Sequence, residues 1–291
     1  MRNIVFILIL TVCLSSCKIR NTHRPLVRNW TFEADRIENV KELESEQKDD
    51  ATIELIESVS DSIVLSPADI KEQILRRKAY TSSYNCDTRN PNWVAWELTG
   101  RHTNGKYKRQ GLSFQEDYDV PTPRSTNMDY MQSGYDRGHM CPSADNKWSE
   151  QAQKESFLYT NCCPQDHTLN AGSWNDLESA CRHWARRYGK IWIACGPVYY
   201  GEKHRRIGRN KVFVPEGFFK VVLANDGGRY MALGFLFENT PTADRFTQYV
   251  KTVDEVEKIT GYDFFAVLPD SIENSIEANS DIDNWQKRQR K

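Results

Sequence analysis

The hydrophobic positions of this chain fall into short runs that are separated by polar and turn-forming residues. Runs of aliphatic, aromatic and β-branched residues between Gly, Asp and Pro are typical of strands. We therefore predict strands at residues 93–98, 157–160, 191–195, 211–214, 218–223, 230–237 and 264–268.

We predict helices at residues 149–157, 170–189 and 242–259, and in the second of these the apolar residues recur at three- and four-residue steps. The central helix is the clearest, because its apolar side chains form a single stripe that should face the core. Ser149 is expected to cap the first helix, and Gly189 is placed to end the second. Together the elements predict an α+β fold with a central antiparallel sheet flanked by helices. The stripe consists of Trp174, Leu177, Cys181, Trp184 and Tyr188.

The first 17 residues have the pattern of an export signal. Arg2 supplies a positive end, and residues 4–14 form an apolar run that is too short to span a bilayer comfortably. Residues 14–17, Leu-Ser-Ser-Cys, resemble a bacterial lipobox, which would make Cys17 the lipidated first residue of the mature protein. The alternative is an ordinary secretory peptide that is cleaved nearby. Both interpretations predict export, and the first anchors the protein in the bacterial cell envelope, facing the periplasm or the cell surface.

The rest of the chain divides by polarity into three parts. Residues 18–79 are polar and poor in aromatic side chains, which is typical of a solvated stalk. Residues 80–270 contain all the predicted strands and helices, and we assign them to one folded domain. Residues 271–291 are polar again and end in a basic run, which predicts a frayed tail.

Charge and cysteine content leave several possibilities open. The formal net charge is −1, so no overall basic field attracts this chain to nucleic acid. Local basic runs could form an electropositive groove, although solvated surface is the alternative interpretation. Six of the eight cysteines remain if Cys13 leaves with the signal and Cys17 carries lipid, and this even number permits disulfides without fixing their pairing. The basic runs are Arg182, Arg186 and Arg187, and Lys203, Arg205, Arg206, Arg209 and Lys211.

The densest group of chemically active side chains is the string Asp136, Arg137, Gly138 and His139. A histidine can take a proton from water near neutral pH, and an arginine can hold two phosphate oxygens. Gly138 would let the backbone approach a bulky anion. The alternative is a surface turn in which Asp136 and Arg137 form a weak exposed ion pair.

A second motif follows downstream. Asn170 comes 31 positions after His139, and Glu178 comes 8 positions after Asn170. In this order and spacing, the Asp-Arg-Gly-His string, Asn170 and Glu178 resemble the DNA/RNA non-specific endonucleases, a family of ββα-metal nucleases. Further similarity lies around residues 194–197 and 260–265, so the resemblance covers most of the chain. It implies a ββα-metal catalytic motif within the predicted fold.

The resemblance also implies an activity and its cofactor. Such a protein would be a metal-dependent endonuclease that hydrolyses phosphodiester bonds of DNA and RNA, without sequence preference, to 5′-phosphate ends. His139 would act as the general base, and Asn170 and Glu178 would hold the ion, Mg²⁺ with Mn²⁺ as a substitute. The alternative is a catalytically inactive nucleic-acid-binding lipoprotein of the same fold.

Two arginines are assigned to the substrate phosphate by the same resemblance. Arg137 lies inside the motif, whereas Arg109 is matched by its downstream aromatic and acidic neighbours, with Arg101 and Lys108 as alternatives. The candidate partners are therefore DNA and RNA through their phosphates, a membrane through the lipid anchor at Cys17, and a second copy of the chain.

Helix geometry adds an expectation about the metal ligands. If the helix begins at Asn170, Glu178 lies two turns further on, a rise of about 12 Å. We therefore expect Glu178 to orient a metal-bound water rather than share the inner coordination shell with Asn170.

Overall fold

The computed structural model describes residues 63–286. The predicted signal segment 1–17, the lipidation site Cys17 and residues 18–62 of the predicted stalk lie outside the described residues, as do residues 287–291.

Seven strands form one antiparallel sheet at the centre of the fold, in the order β12–β11–β10–β7–β4–β3–β2, and three strand pairs, β1–β13, β5–β6 and β8–β9, lie outside it. This confirms the α+β prediction. The strands are β1 (Val64–Leu65), β2 (Gln73–Arg76), β3 (Thr81–Asn85), β4 (Asn90–Thr99), β5 (Asp136–His139), β6 (Cys162–Gln165), β7 (Lys190–Val198), β8 (Arg206–Ile207), β9 (Val212–Phe213), β10 (Gly217–Asp226), β11 (Arg229–Glu238), β12 (Val250–Lys251) and β13 (Asp263–Phe264).

The helices are short except for one of 14 residues, Asn175–Tyr188, which packs on one face of the sheet. In the described part of the chain, no helix has the length and apolar character needed to cross a membrane. The helices are α1 (Asn127–Tyr130), α2 (Glu150–Glu155), α3 (His167–Leu169), α4 (Asn175–Tyr188), α5 (Val253–Thr260), α6 (Asp270–Glu277) and α7 (Ile282–Gln286).

The sheet is covered on both faces, so alternate side chains of each central strand enter two different cores. In β10, Phe218 and Val222 pack on the α4 face, whereas Phe219 and Val221 pack on the face that carries α5 and α6. The predicted stripe is confirmed as core, because all of its residues except Tyr188 are buried. All six cysteines in the described range are free: Cys86, Cys141, Cys162, Cys163, Cys181 and Cys195.

Most of the predicted elements are found. The runs at 93–98, 191–195, 218–223 and 230–237 lie within β4, β7, β10 and β11, and the run at 211–214 contains β9. Ser149 caps α2 by accepting a hydrogen bond from the backbone N–H of Ala152. Gly189 follows α4 with a φ of +81°, a conformation that ends the helix.

Two predicted strands are placed incorrectly. The run at 157–160 does not form a strand, because Tyr159–Asn161 is a tight 3-10 turn and the strand starts at Cys162. The run at 264–268 ends as a strand at Phe264, because Phe265 takes a φ of +65°. Hydrophobic content alone predicted both runs, and it does not distinguish a strand from a buried turn.

The predicted helix at 242–259 is largely wrong. Val250 belongs to β12 and pairs with Phe235, and the helix begins only after Thr252. There the Thr252 side chain accepts from the Glu255 N–H, and the Glu255 side chain accepts from the Thr252 N–H. This capping box fixes the start of α5.

The fold extends past both limits of the predicted 80–270 domain. Strand β2 pairs with β3 inside the main sheet, so part of the predicted stalk is built into the core. Residues 271–286 are not a frayed tail, because they form most of α6 and all of α7. Trp285 anchors α7, since its ring is buried against Trp184, with a centroid distance of 4.9 Å.

Candidate active site

The strands β5 and β6 form an antiparallel hairpin whose register pairs Asp136 with Gln165 and His139 with Cys162. The chain continues from β6 into α3, a single wide turn at Asn170–Trp174, and then α4. This is a ββα arrangement, and it brings the Asp-Arg-Gly-His string beside the start of the long helix.

His139 stands at the end of β5 between two aromatic rings. Its ring centroid lies 4.6 Å from that of Phe114 and 5.0 Å from that of Phe157. Burial, with a smaller contribution from the charge of Arg109, lowers the pKa of His139 to about 3. The imidazole is therefore neutral at physiological pH and is able to accept a proton.

The backbone that follows His139 is fixed by the buried side chain of Asn161. Its amide oxygen accepts from the Cys141 N–H at 2.8 Å, and its amide nitrogen donates to the carbonyl oxygens of Cys141 (2.8 Å) and Ser156 (2.9 Å). These bonds explain why the chain turns at Asn161 and why His139 has a fixed position.

Gly138 has a different role from the one expected. A Cβ atom at this position would lie 2.2 Å from the Gln165 side-chain oxygen and 2.6 Å from its Cβ. The missing side chain therefore makes room for Gln165 across the hairpin, and the expectation that it admits a bulky anion was wrong.

Asp136 links the two motifs directly. Its Oδ2 accepts from Asn170 Nδ2 at 2.9 Å and lies 2.8 Å from Nδ1 of His167. The alternative of an Asp136–Arg137 surface pair is therefore wrong. With its nitrogen held by Asp136, Asn170 presents an amide oxygen that accepts no hydrogen bond from any residue in the range 63–286.

Asn170 is not the start of α4, as the sequence suggested. Gly172 (φ −101°, ψ −114°) kinks the chain between them, and α4 begins at Asn175. The hydroxyl of Ser173 donates to the carbonyl oxygen of Asp244, which ties the kink to the loop after β11. The expected 12 Å rise between Asn170 and Glu178 assumed a continuous helix, so that premise was wrong.

Glu178 lies on the first turn of α4, with 12% of its side chain exposed. Burial raises the pKa of Glu178 to about 7, although Lys220 and Arg182 oppose the shift. An amide oxygen and a largely buried carboxylate are both oxygen donors of the kind that Mg²⁺ takes from proteins. Asn170 and Glu178 therefore fit a hard divalent cation.

Lys220 supplies a buried positive charge behind Glu178. It is 1% exposed, and its Nζ lies 4.2 Å from the ring centroid of Trp174 and 5.3 Å from that of Trp96. Burial opposes its charge, but Cys195, Glu178 and other neighbours raise the pKa of Lys220 overall. Lys220 was not among the site residues predicted from the sequence, although a lysine inside the apolar run 218–224 is a visible signal.

The two predicted arginines are held differently. Arg137 donates to the Asn127 side-chain oxygen at 2.7 Å and to the Tyr159 hydroxyl at 3.1 Å, so its guanidinium has a fixed orientation. Arg109 is exposed, and its guanidinium lies 5.8 Å from the Phe157 ring centroid. Of the alternatives to Arg109, Lys108 lies beside the same cleft, whereas Arg101 lines a different one.

All five predicted site residues line one cleft of about 610 Å³. We call it the His139 cleft. Its charged lining contains five cationic side chains and one carboxylate, Glu178, which suits an anionic ligand. Of the two predicted basic runs, only Arg182 contributes, and it also pairs with Asp145 at 3.1 Å. The cationic residues are Lys108, Arg109, Arg137, Lys147 and Arg182.

Comparisons with known proteins agree with this geometry. The family model described as DNA/RNA non-specific endonuclease matches residues 63–271. The chain is similar to the mitochondrial nuclease EXOG of Xenopus laevis, with 34% identity over 201 residues, covering 64% of this chain and 56% of the relative. It is also similar to human mitochondrial endonuclease G, with 31% identity over 202 residues, covering 65% of this chain and 68% of the relative.

The fold is similar to a chain in the crystal structure of the EndoG/EndoGI complex, with a TM-score of 0.68 and 25% identity. That match covers 75% of this chain and 94% of the other. By contrast, the alignments span little more than half the length of the EXOG relatives from Xenopus laevis and Danio rerio.

Proposed function

Because this chain belongs to the DNA/RNA non-specific endonuclease family, we propose that it is a metal-dependent endonuclease that cleaves DNA and RNA to 5′-phosphate ends. The observation that carries the proposal is the convergence of His139, Arg137, Arg109, Asn170 and Glu178 on one cationic cleft. Contacts confined to phosphate and sugar would give little sequence preference.

His139 is the proposed general base. Its imidazole is neutral in the free protein, so a ring nitrogen has a lone pair with which to take a proton from the water that attacks phosphorus. Phe114 and Phe157 limit the movement of the ring, and the Asn161 hydrogen bonds fix the strand end that carries it. These contacts orient the base before substrate binds.

Asn170 and Glu178 are the proposed holders of the ion, Mg²⁺ with Mn²⁺ as a substitute. Asp136 holds the amide nitrogen of Asn170 and so leaves its oxygen for the ion. The bound ion supplies positive charge that stabilises the negative charge developing on the phosphate.

Arg137 and Arg109 are proposed to bind the non-bridging phosphate oxygens. The hydrogen bonds from Arg137 to Asn127 and Tyr159 orient its planar donor fork before the substrate arrives. Arg109 is exposed on the lining of the same cleft, where it adds positive charge to the approach of the substrate.

We also propose that the protein is exported and anchored through lipid on Cys17, on the basis of the Leu-Ser-Ser-Cys sequence at residues 14–17. Cys17→Ala expressed in a bacterial host should move from the membrane to the soluble fraction and lose the mass of the lipid. A Cys17→Ala chain that stays in the membrane fraction would contradict the anchor.

The test of the nuclease proposal uses the full-length chain with supercoiled plasmid and structured RNA. Mg²⁺ should allow cleavage of both substrates, EDTA should stop it, and the products should carry 5′-phosphates that a ligase accepts. His139→Ala should bind the same substrates and leave them intact. Binding without cleavage under Mg²⁺ and Mn²⁺ would instead identify the chain as an inactive nucleic-acid-binding protein.

A further inference from the structure

A second group of oxygen ligands lies away from the His139 cleft. Asp254 and Glu257 lie on α5, and Glu277 lies at the end of α6. One carboxylate oxygen from each lies within 4.8 Å of one oxygen from each of the other two. We call these three residues the acidic triad. Helices α5 and α6 cover the sheet face opposite α4, so the triad does not belong to the proposed active site.

Glu277 distinguishes the triad from an ordinary group of exposed carboxylates on a protein surface. It is only 5% exposed, and its Oε1 is buried without a hydrogen-bond partner among the described residues. An unpaired buried carboxylate is costly, so such groups normally have a cation or a hydrogen-bond donor beside them. Here the unpartnered carboxylate faces two further carboxylates.

The surroundings of the triad add negative charge. Within the described range, no member of the triad forms an ion pair, and Glu273 brings another buried, unpartnered carboxylate oxygen on α6. The triad therefore lacks positive charge, and either a proton or a cation can supply it.

We propose that the acidic triad binds a hard divalent cation, with Ca²⁺ as the favoured ion. The ligand atoms are all carboxylate oxygens, which favours Ca²⁺ or Mg²⁺ over softer transition metals. Their spacing fits oxygen ligands at about 2.3–2.6 Å from Ca²⁺, and the open side at Asp254 leaves room for water. Mg²⁺ is less suited, because it requires a nearly ideal octahedron and gives up its water reluctantly.

The site would have a structural effect. A cation held by both helices joins the end of α6 to α5, which itself packs on the sheet through Val253 and Val256. An ion that binds only the folded chain raises its stability. We therefore expect Ca²⁺ to stabilise the protein independently of nucleic acid.

The experiment compares thermal unfolding of the chelator-treated full-length chain with and without CaCl₂, at constant ionic strength. At a free Ca²⁺ concentration of about a hundred times Kd, Ca²⁺ should raise the Tm of the wild type by about 5 °C. Glu277→Gln should unfold at a Tm at or above that of the ion-free wild type, because it removes repulsion, and it should lose the response to Ca²⁺.

Three further variants separate this site from the cleft and from surface screening. Glu178→Gln, in the cleft, should keep the full Ca²⁺ response, and the exposed Glu202→Gln should do the same. Asp254→Asn, a substitution at an exposed triad position, should weaken the response without unfolding the chain. Glu277→Gln should retain Mg²⁺-dependent nuclease activity, which keeps this test apart from that of the proposed function.

The outcomes decide the proposal. A wild-type Tm that does not respond to Ca²⁺ or Mg²⁺ overturns it, as does a response that survives in Glu277→Gln. A response lost in Glu178→Gln assigns the ion to the cleft and also overturns it. An equal response to Mg²⁺ that disappears in Glu277→Gln supports the site and rejects the preference for Ca²⁺.

Discussion

The His139 cleft and the acidic triad contain the same kind of ligand atom in opposite electrostatic surroundings. In the cleft, one carboxylate and one amide oxygen are surrounded by five cationic side chains. In the triad, three carboxylates converge without an ion-paired cation in the described part of the chain. The cleft should therefore bind its ion best when a phosphate adds negative charge, whereas the triad should bind a cation alone. Whether a cluster of oxygen ligands binds an ion without substrate therefore depends on the charges of the side chains around it.

Substitution of His139 should have the largest effect, and it should affect the cleft without affecting the acidic triad. Loss of the general base should reduce turnover by about 10²–10⁴ at saturating Mg²⁺, measured as the initial rate of plasmid nicking by His139→Ala. His183 is an exposed histidine on α4, and His183→Ala should cut at the wild-type rate. Equal rates for His139→Ala and the wild type would contradict the proposal that His139 is the general base.

A smaller effect is expected at Asp136, which holds the side-chain amide of Asn170, a proposed metal ligand. Asp136→Asn should raise the Mg²⁺ concentration for half-maximal activity by about 10–100-fold, because the amide of Asn170 loses its fixed orientation. The rate should recover substantially at high Mg²⁺. A rate that stays low at every Mg²⁺ concentration would point to disruption of the hairpin instead. The Ca²⁺ response of the triad should not change.

The pH dependence of nuclease activity should follow the protonation of Glu178 and not that of His139. The pKa of Glu178 is raised to about 7, so its carboxylate becomes protonated as the pH falls below 7, whereas His139 stays neutral down to about pH 3. At limiting Mg²⁺, kcat/KM should fall about tenfold between pH 6.5 and 5.5. Higher Mg²⁺ should move this acidic limb to lower pH, because the ion competes with the proton. A limb that does not move with Mg²⁺ would contradict the assignment.

The smallest effect concerns the phosphate contacts at the cleft rim. Arg109→Ala should reduce the slope of log affinity for duplex DNA against log salt concentration by about 1. The matched control is Lys203→Ala, from a basic run that does not line the cleft. Fluorescence anisotropy with a short duplex, in EDTA to prevent cleavage, measures both slopes. Equal slopes for the two variants would show that Arg109 makes no phosphate contact.

The parts of the molecule that the sequence predicted correctly are local. Ser149 begins α2 through its side chain, and Gly189 ends α4 through its backbone freedom. The apolar stripe of α4 follows from a single helical period. The two candidate motifs were found because their residues follow a known order and spacing along the chain. Arg109 was placed by its neighbours in sequence, and the structure brings it to the same cleft.

The parts that sequence reasoning missed depend on distant residues. The kink at Gly172 is held by a hydrogen bond from Ser173 to Asp244, about 70 positions away. The periodicity of apolar residues along the helix therefore could not predict it. Val250 continues the apolar spacing of α5, but its pairing with Phe235 places it in the sheet. The five cations of the cleft were not predicted as one group, because they come from four separate segments rather than from one basic run.

The buried lysine of β10 restricts which substitutions the core can accept. Lys220 lies between Trp96 and Trp174 in a strand whose other inward-facing residues are apolar. Replacing it with leucine would follow the hydrophobic pattern, yet it would leave Arg182 as the remaining cation that lowers the pKa values of Asp145 and Glu178. A homologue or a redesigned sequence that loses this lysine would hold both acids beside Arg182 with one positive charge fewer. A substitution at this core position would therefore also change the charge beside Glu178 in the His139 cleft.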